Sequence, residues 1–284
     1  MMIIGLLALS LFAQPLWDDA SPIPAGLMTH IPVTSGVEAS SPPPRSHTDP
    51  SNDHDHDHDD CLVESAMKEW HPHPVVVELF TSQGCPMCPD ANAFLGTLSD
   101  RPDIIAIAYG VDYWDMYGWE DEFSVPDFVA RQHDYVERGE AMRVFTPHFV
   151  VNGDPHKLKF KPSEILDFID HQEPLSAEAH IHSGHEGYEL ILSGPRLSQP
   201  AEVWMVTYEE SEQWRAIGGG ANAGRSTPHF NMARSLIQIG SWDGGEDEFA
   251  LPEFPQDGHI RGAILVQAER GGRILAAALF PARP

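Results

Sequence analysis

Two cysteines, Cys85 and Cys88, follow directly on a strongly apolar segment of the chain. Residues 75–80 read Val-Val-Val-Glu-Leu-Phe, and a Thr-Ser-Gln-Gly segment joins them to Cys85. β-Branched and aromatic residues favour a strand, and the apolar residues after Cys88 recur at helical spacing. A strand that delivers a C-x-x-C pair to the start of a helix is typical of a thiol–disulfide redox site.

The place of Cys85 before the predicted helix favours its ionised form. The first turn of a helix has backbone N–H groups without partners and a partial positive charge, and both stabilise a thiolate. We therefore predict that Cys85 is the attacking thiolate and the more exposed cysteine, and that Cys88 resolves the mixed disulfide. Two alternatives stay open: an inert disulfide between the two cysteines, or half of a metal site.

The net charge of the chain limits the kinds of molecule that we expect it to bind. The chain carries 43 acidic and 17 basic residues, which gives a formal net charge of −26. Nucleic acids and anionic membrane surfaces bind proteins through clusters of Lys and Arg. Both are therefore excluded as expected partners, and we expect a protein, or a small thiol or disulfide, as the substrate.

The first residues predict export. Residues 3–12 form an apolar run of ten, which is shorter than the ~20 residues that cross a bilayer. The run fits the hydrophobic region of a signal peptide over residues 1–13, so we predict a periplasmic or secreted protein. The alternative is an uncleaved start, because no Lys or Arg precedes the run.

Residues 14–73 are predicted to be a disordered linker, because they are rich in Pro, Ser, Asp and His and lack a hydrophobic period. Inside this segment His54, His56 and His58 alternate with aspartates, and Cys61 follows them. Imidazole, carboxylate and thiolate groups bind Zn²⁺ or Cu²⁺, and a flexible tract would bind them weakly. The tract is either a weak metal-binding segment or a solvated acidic spacer.

Residues 74–173 alternate between strand and helix patterns. We predict strands at 75–80, 104–111, 149–151 and 157–160, and helices at 89–98, at 125–137 and from 162 onwards. The order β-α-β-α-β-β-α is that of an α/β thioredoxin-like domain.

The helical period disappears over residues 176–284. Alternating segments predict strands at 179–182, 188–192, 203–208, 260–267 and 273–279, with glycine-containing hairpin turns at 184–187 and 270–272. Short strands at such spacing predict an antiparallel β-sandwich-like domain. The predicted architecture is thus a disordered N-terminal linker, a thioredoxin-like domain and a second, all-β domain.

Several motifs extend beyond the cysteine pair. They are Glu-Leu-Phe-Thr-Ser-Gln-Gly-Cys-x-x-Cys-Pro at 78–89, Val-Asp-Tyr-Trp-Asp-x-x-Gly-Trp at 111–119, Arg-Gln-x-x-Tyr at 131–135, Thr-Pro-x-x-Val-Val-Asn-Gly at 146–153, Gly-Ser-Trp-Asp-Gly at 240–244 and Ile-Leu-Val-Gln at 264–267. Together they resemble the DUF1223 family of secreted, thioredoxin-like proteins, whose function is largely uncharacterised. The resemblance covers residues 74–283 and excludes the His-rich linker.

The resemblance implies the fold and a redox-type site around Cys85, Cys88 and Pro147, without a named substrate. As in thioredoxin-like folds, we expect Thr146-Pro147 to face the cysteines with a cis peptide bond. The backbone of Thr146 would then pair with an incoming peptide. The alternative is an ordinary trans loop proline.

The chain departs from the family pattern at three places. Gly110 stands where His is usual, Pro86-Met87 replaces a small polar pair, and His148 replaces Gln after Thr-Pro. We expect these differences to tune the site. As a cation, His148 would lower a thiolate pKa, and as a neutral imidazole it would bind metal; the alternative is a surface histidine.

Glu78 is a candidate proton carrier, seven residues before Cys85. A buried carboxylate has a raised pKa and could relay the proton of Cys88. The alternative is a glutamate that faces solvent.

Asp112, Tyr113 and Trp114 follow the second predicted strand at its carboxyl end, where α/β sheets bind ligands. They predict a substrate-binding wall beside Cys85, or equally a packing role, since Trp and Tyr bury large apolar areas. Arg131 is predicted to pair with a carboxylate of this loop.

The leading hypothesis is an exported thiol–disulfide oxidoreductase that requires no cofactor. The second is a copper- or zinc-binding protein in which the cysteine pair and the histidine tract supply ligands. The third is a non-catalytic module whose β domain binds a partner.

Overall fold

The structure is a computed structural model that describes residues 73–139, 143–155, 160–184, 187–255 and 258–281. The predicted signal peptide and nearly all of the predicted linker lie outside these residues, and so do His54, His56, His58 and Cys61. None of the helices in the described ranges has the length and apolar character needed to span a bilayer.

Three α-helices and eleven strands form the described part of the chain. The helices are α1 (Cys88–Ser99), α2 (Pro126–Arg138) and α3 (Pro162–Asp170). The strands are β1 (Val75–Thr81), β2 (Ile104–Gly110), β3 (His148–Val151), β4 (Asp154–Pro155), β5 (Glu178–Ser183), β6 (Tyr188–Ser193), β7 (Ala201–Ala216), β8 (Ser226–Trp242), β9 (Asp247–Ala250), β10 (Ile260–Gln267) and β11 (Ile274–Leu279). Each helix has a proline in its first two positions, where the missing N–H costs nothing and the fixed φ suits the helix.

The first half of the described chain follows the order β1-α1-β2-α2-β3-β4-α3, which confirms the predicted order of elements. Strand β3 pairs with β4, and residues 157–159 of the predicted strand at 157–160 lie outside the described residues. Asn152 and Gly153 both adopt positive φ, so the chain reverses in two residues and Val151 pairs at once with Asp154.

One sheet of eight strands joins the two halves, in the order β11-β10-β7-β8-β2-β1-β3-β4. Strand β1 lies between its parallel neighbour β2 and its antiparallel neighbour β3. Strand β8 meets β2 in parallel at Met232 and Ala108. The predicted succession of two domains therefore needs correction, because strands from the second segment extend the sheet of the first.

Strand β8 was missing from the predicted elements, and β7 was predicted at less than half its length. Strand β8 has 17 residues and includes Pro228, which cannot donate to a ladder and argues against a strand when the sequence is read locally. Its pairing with β7, which runs from Ala201–Trp242 to Ala216–Ser226, compensates for that local cost.

Two layers cover the sheet. On one face, helix α2 packs over Val76, Phe80 and Tyr109. On the opposite face, α1 and α3 cover Val77 and Leu79, while the small sheet β5-β6-β9 covers β7, β10 and β11. The protein is therefore a mixed α/β fold in which a second, three-stranded sheet packs on the large one.

The β7–β8 hairpin extends beyond its neighbours in the sheet. Strand β10 pairs with β7 only as far as Glu209, and β8 meets β2 at Met232. Past these points β7 and β8 pair with each other as far as Ala216 and Ser226. The connecting residues 217–225, here called the hairpin tip, reach the loop that carries Cys85.

Candidate functional site

Cys85 and Cys88 lie where β1 gives way to α1. The Cys85 N–H donates to the Ser82 carbonyl at 3.1 Å, and the Cys88 N–H donates to the Cys85 carbonyl at 3.3 Å. Both cysteines are free thiols, and each is 0% exposed. Cys85 is therefore not the more exposed of the two, contrary to expectation, because other segments of the chain pack over its loop.

The two thiols have pKa values shifted in opposite directions. The Cys88 thiol donates to the Cys85 sulfur, and this bond does most to lower the pKa of Cys85 to about 7. Burial opposes that change, whereas the Thr146 hydroxyl and the backbone N–H groups of Met87 and Cys88 support it. Burial, followed by the bond to Cys85, raises the pKa of Cys88 well above its ordinary value.

Thr146 and Pro147 are joined by a cis peptide bond, as predicted. The Thr146 hydroxyl bonds to Cys85 and also accepts the indole N–H of Trp114 at 2.8 Å. Trp114 in turn packs against the cysteine loop: a Cβ at Gly84 would lie 2.9 Å from the Trp114 Cβ. Gly84 is thus the residue that allows this aromatic side chain to approach, and the predicted neighbours Thr146 and Trp114 do meet beside Cys85.

Tyr113 lies in the same polar region. Burial is the main cause of its raised pKa, hydrogen bonds with Gln132 and Thr146 oppose the rise, and negative charge on Cys88 and Cys85 adds to it. The Tyr113 hydroxyl is buried, and Gln132 Oε1 is buried without a hydrogen-bond partner among the described residues. Asp112, the third predicted member of the wall, is exposed to solvent instead.

Asp121, which the sequence analysis missed, holds the loop before Cys85. Its carboxylate accepts the Gln83 N–H at 2.7 Å and the Phe123 N–H at 2.9 Å. Burial raises the pKa of Asp121 to about 6. The Gln83 side chain accepts the indole N–H of Trp119 at 2.7 Å, so the Ser-Gln-Gly turn is anchored through both its backbone and its glutamine.

The hairpin tip supplies a second anchor that the sequence analysis missed. Asn222 is 0% exposed, and its Nδ2 donates to the carbonyls of Gln83 and Cys85, both at 2.8 Å. Arg225 donates to Asn222 Oδ1 at 2.9 Å and orients the amide. The run of three glycines at 218–220 was the one local indication that this segment makes close backbone contacts.

Glu78 does not face the cysteines. It lies on the sheet face covered by α2, where its carboxylate accepts Arg131 Nε at 2.7 Å and the hydroxyl of Tyr135. Gln267 completes the group by accepting Arg131 Nη1 at 3.0 Å and donating to Tyr135 at 2.9 Å. The placement replaces two expectations: Glu78 is not positioned to relay the proton of Cys88, and Arg131 pairs with Glu78 instead of the 112–119 loop.

His148 is buried, contrary to the alternative of a surface residue. Its ring lies 4.5 Å from that of Phe145 and 5.8 Å from that of Phe80. Among the described residues, no three or more His, Cys, Asp or Glu side chains are grouped as a metal ion would require.

A family model matches the chain over residues 76–267, and its description is a protein of unknown function, DUF1223. This chain belongs to DUF1223. The motif residues of the DUF1223 chain fall into two groups in the structure. Gln83, Thr146 and Trp114 surround the cysteines, whereas Glu78 and Arg131 meet away from them.

Solved structures include proteins whose folds are similar to that of this DUF1223 chain. A crystal structure of a protein from Agrobacterium tumefaciens matches with a TM-score of 0.59 and 22% identity, over 75% of this chain and 96% of that one. HBP35 of Porphyromonas gingivalis matches with a TM-score of 0.47 and 15% identity, over 75% of this chain and 76% of that one. No curated protein sequence matches the chain.

Proposed function

We propose that this DUF1223 protein is an exported thiol–disulfide oxidoreductase. The main support for this proposal is the contrast between the two neighbouring thiols. The pKa of Cys85 falls to about 7, while that of Cys88 rises. An attacking cysteine must be a thiolate near neutral pH, and its resolving partner must stay protonated until a mixed disulfide has formed. Cys85 and Cys88 suit these two roles.

We infer a thioredoxin-like arrangement for residues 74–173. Strand β1 lies between β2 and β3 and leads into α1, which begins at the second cysteine. The cis bond before Pro147 and the hydrogen bond from Thr146 to Cys85 support the same inference.

The exchange proceeds in two steps that need no cofactor. The Cys85 thiolate attacks a substrate disulfide, R–S–S–R′, forming a Cys85–S–S–R bond and releasing R′–S⁻, which takes a proton from solvent. Cys88 then attacks the Cys85 sulfur, its proton passes to the departing R–S⁻, and a Cys85–Cys88 disulfide forms. The substrate is reduced by two electrons and the cysteine pair is oxidised by two; the reverse sequence oxidises a dithiol substrate.

Access to Cys85 requires a movement of its cover. Trp114 and the hairpin tip both contact the loop that carries the sulfur. Pro86 and Met87, between the cysteines, are exposed, with Met87 at 57%. A protein or small disulfide would approach over these two residues.

The test is the alkylation rate of Cys85 against pH, measured on the reduced protein, with Cys85→Ser as the blank. We expect a midpoint near pH 7, because the pKa of Cys85 is lowered to about 7. A midpoint at or above the reference pKa of about 8.5 would contradict the proposal.

Trapping experiments test the division of roles. Cys88→Ser should accumulate mixed disulfides through Cys85, whereas Cys85→Ser should accumulate few. Equal trapping by the two variants would contradict the assignment of attacking and resolving cysteines.

The export proposal rests on the apolar run at residues 3–12. We expect the full-length chain, expressed in a Gram-negative host, to be recovered from the periplasm in a processed form. Recovery of the full-length chain from the cytosol would contradict it.

A further inference from the structure

A cavity of about 470 Å³ lies at the end of the large sheet where β1 and β2 begin. Its wall includes Pro74, which precedes β1, and Ile104, the first residue of β2. The cysteines follow the opposite end of β1, which has seven residues. At ~3.3 Å per residue, about 20 Å of strand separates the two places. The cavity is therefore distinct from the thiol site.

The cavity lies where strand β8 diverges from β2. In the described part of the chain, β8 pairs with β2 at one position, Met232 with Ala108, whereas β1 pairs with β2 along its whole length. Asn231 adopts a left-handed φ of 48°, and its Nδ2 donates to the Ala106 carbonyl at 2.9 Å. A side chain thus bonds to β2 here in place of a neighbouring strand. Ala106 and Asn231, from the two sides of the gap, both line the cavity.

Most of the wall is apolar. Ala106, Ala179 and Ala277 come from three different strands, β2, β5 and β11, and Phe280 adds an aromatic ring. All four residues are buried. Small side chains at the three alanine positions leave the space unfilled, and unfilled space among apolar side chains lowers stability. The volume lies in the range of about 300–1,000 Å³ that is typical of pockets for small organic ligands.

The charged side chains of the wall are already paired within the chain. Arg101 Nη2 lies 2.7 Å from Asp103, and Arg261 Nε lies 3.3 Å from Glu210, which is also part of the wall. His180 Nε2 lies 3.6 Å from a glutamate of the same strand. A charged ligand would lose its hydration on entry and would have to compete with these partners for a counter-charge. An uncharged ligand would avoid this cost.

We propose that this cavity binds an uncharged, mainly apolar small molecule. The alanines and Phe280 supply apolar contacts, and the paired charges disfavour carboxylates and amines of the same size. Ser99 and Asn231 are neutral polar residues of the wall, so the ligand can carry a hydroxyl or carbonyl group. Binding here goes beyond the proposed function and does not depend on the chemistry of the cysteines.

The first test is a fluorescence titration of the reduced, full-length protein with Nile red, an uncharged apolar dye. We expect saturable binding of one dye per chain. Ala277→Phe and Ala179→Leu each add bulk to the wall from a different strand, so each should weaken binding by about tenfold or more. Met116→Gln is the control, because Met116 is 80% exposed in the loop that follows the far end of β2. Its binding should match that of wild type.

Two results of this titration would overturn the proposal. One is the absence of saturable binding to the wild-type protein. The other is binding that Met116→Gln abolishes while both wall variants retain it, because the dye would then bind an exposed surface near the cysteines.

Competition tests the charge of the ligand. Octanol, octanoate and octylamine share an eight-carbon chain and are uncharged, anionic and cationic at pH 7.5. Octanol should displace the dye, and the two charged compounds should be weaker competitors by about tenfold or more. Displacement by octanoate or octylamine at the same concentration as octanol would overturn the assignment of an uncharged ligand.

A third measurement locates binding without any substitution in the wall. In protein labelled with ¹³C at the alanine methyl groups, octanol should shift the signals of Ala106 and Ala277. It should leave that of Ala223, which is exposed in the hairpin tip, unchanged. Shifts that spare Ala106 and Ala277 would overturn the site. Cys85→Ser should bind octanol as wild type does, so failure of the oxidoreductase proposal and failure of this one are separate results.

Discussion

Arg131 and Gln132 are neighbours on helix α2, yet they belong to two very different buried polar groups. Around Arg131, the side chains of Glu78, Tyr135 and Gln267 satisfy one another's hydrogen-bonding atoms. At Gln132, the buried amide oxygen has no hydrogen-bond partner among the described residues.

The comparison distinguishes buried polar side chains that stabilise the fold from those that have an atom available to bind another group. A buried group whose atoms are all paired contributes to the fold and offers nothing to a ligand. A buried polar atom without a partner in the chain leaves a position open to a water molecule or a ligand. Gln132 donates to the carbonyl of Phe145, the residue before Thr146, at 2.8 Å. Arg131 and its three partners lie on a sheet face away from the cysteines, and the one hydroxyl beside them that lacks a partner among the described residues is that of Tyr109.

Removing one member of the group around Arg131 should give the largest loss of stability. Arg131→Met leaves the Glu78 carboxylate buried without its cation, so we expect a loss of about 3–5 kcal/mol in the free energy of unfolding. Urea denaturation of the reduced protein measures it. The control is Lys161→Met, which breaks an exposed ion pair with Glu164 whose side chains are 59% and 36% exposed; it should cost less than about 1 kcal/mol. Similar losses of stability in the two variants would show that the buried Arg131–Glu78 pair matters no more to stability than an exposed ion pair.

The cysteine loop should respond to pH through Asp121. Burial raises its pKa to about 6 in the folded protein, compared with about 3.9 in an unfolded chain. The folded state therefore binds this proton more tightly, so the contribution of Asp121 to stability grows as pH falls from 7 towards 4 and is lost as pH rises through 6.

We expect wild-type stability relative to Asp121→Asn to increase by about 2 kcal/mol over that range. Urea denaturation at pH 4, 5, 6 and 7 gives the curve. Asp112→Asn, at an exposed position of the neighbouring loop, should run parallel to wild type. A flat difference between wild type and Asp121→Asn would show that Asp121 ionises as it does in water.

Asn222 should affect both the stability of the fold and the reactivity of the Cys85 thiol. Asn222→Ala leaves the carbonyls of Gln83 and Cys85 without the amide that bonds both, and we expect a loss of about 1–2 kcal/mol. The loosened loop should also make Cys85 react faster with iodoacetamide at a fixed pH. Ala221→Ser, at the exposed neighbouring position, is the control for both readouts. Unchanged alkylation in Asn222→Ala would mean that the hairpin tip does not limit access to Cys85.

The features that local chemistry specifies were predictable from sequence. The apolar run before Cys85 gave β1, the C-x-x-C gave the junction with α1, and Asn152-Gly153 gave a tight hairpin. In each case the residues that form the feature lie within a few positions of one another.

The features that depend on distant pairing were not predictable in this way. Glu78 could be assigned to the α2 face only once the pleat of β1 placed it with Val76 and Phe80. Asn222 reaches Cys85 through a hairpin whose second strand contains Pro228, so the local pattern concealed both the strand and the contact.

The anchor at Asn222 also sets an order of events during synthesis. Asn222 follows Cys85 by 137 residues, and the strand that returns from the hairpin tip ends only at Trp242. A nascent chain thus presents both cysteines to its surroundings long before the segment that covers them exists. During synthesis, both thiols are therefore accessible before the fold is complete. Oxidants and folding factors that act on nascent chains encounter the cysteines in this accessible state.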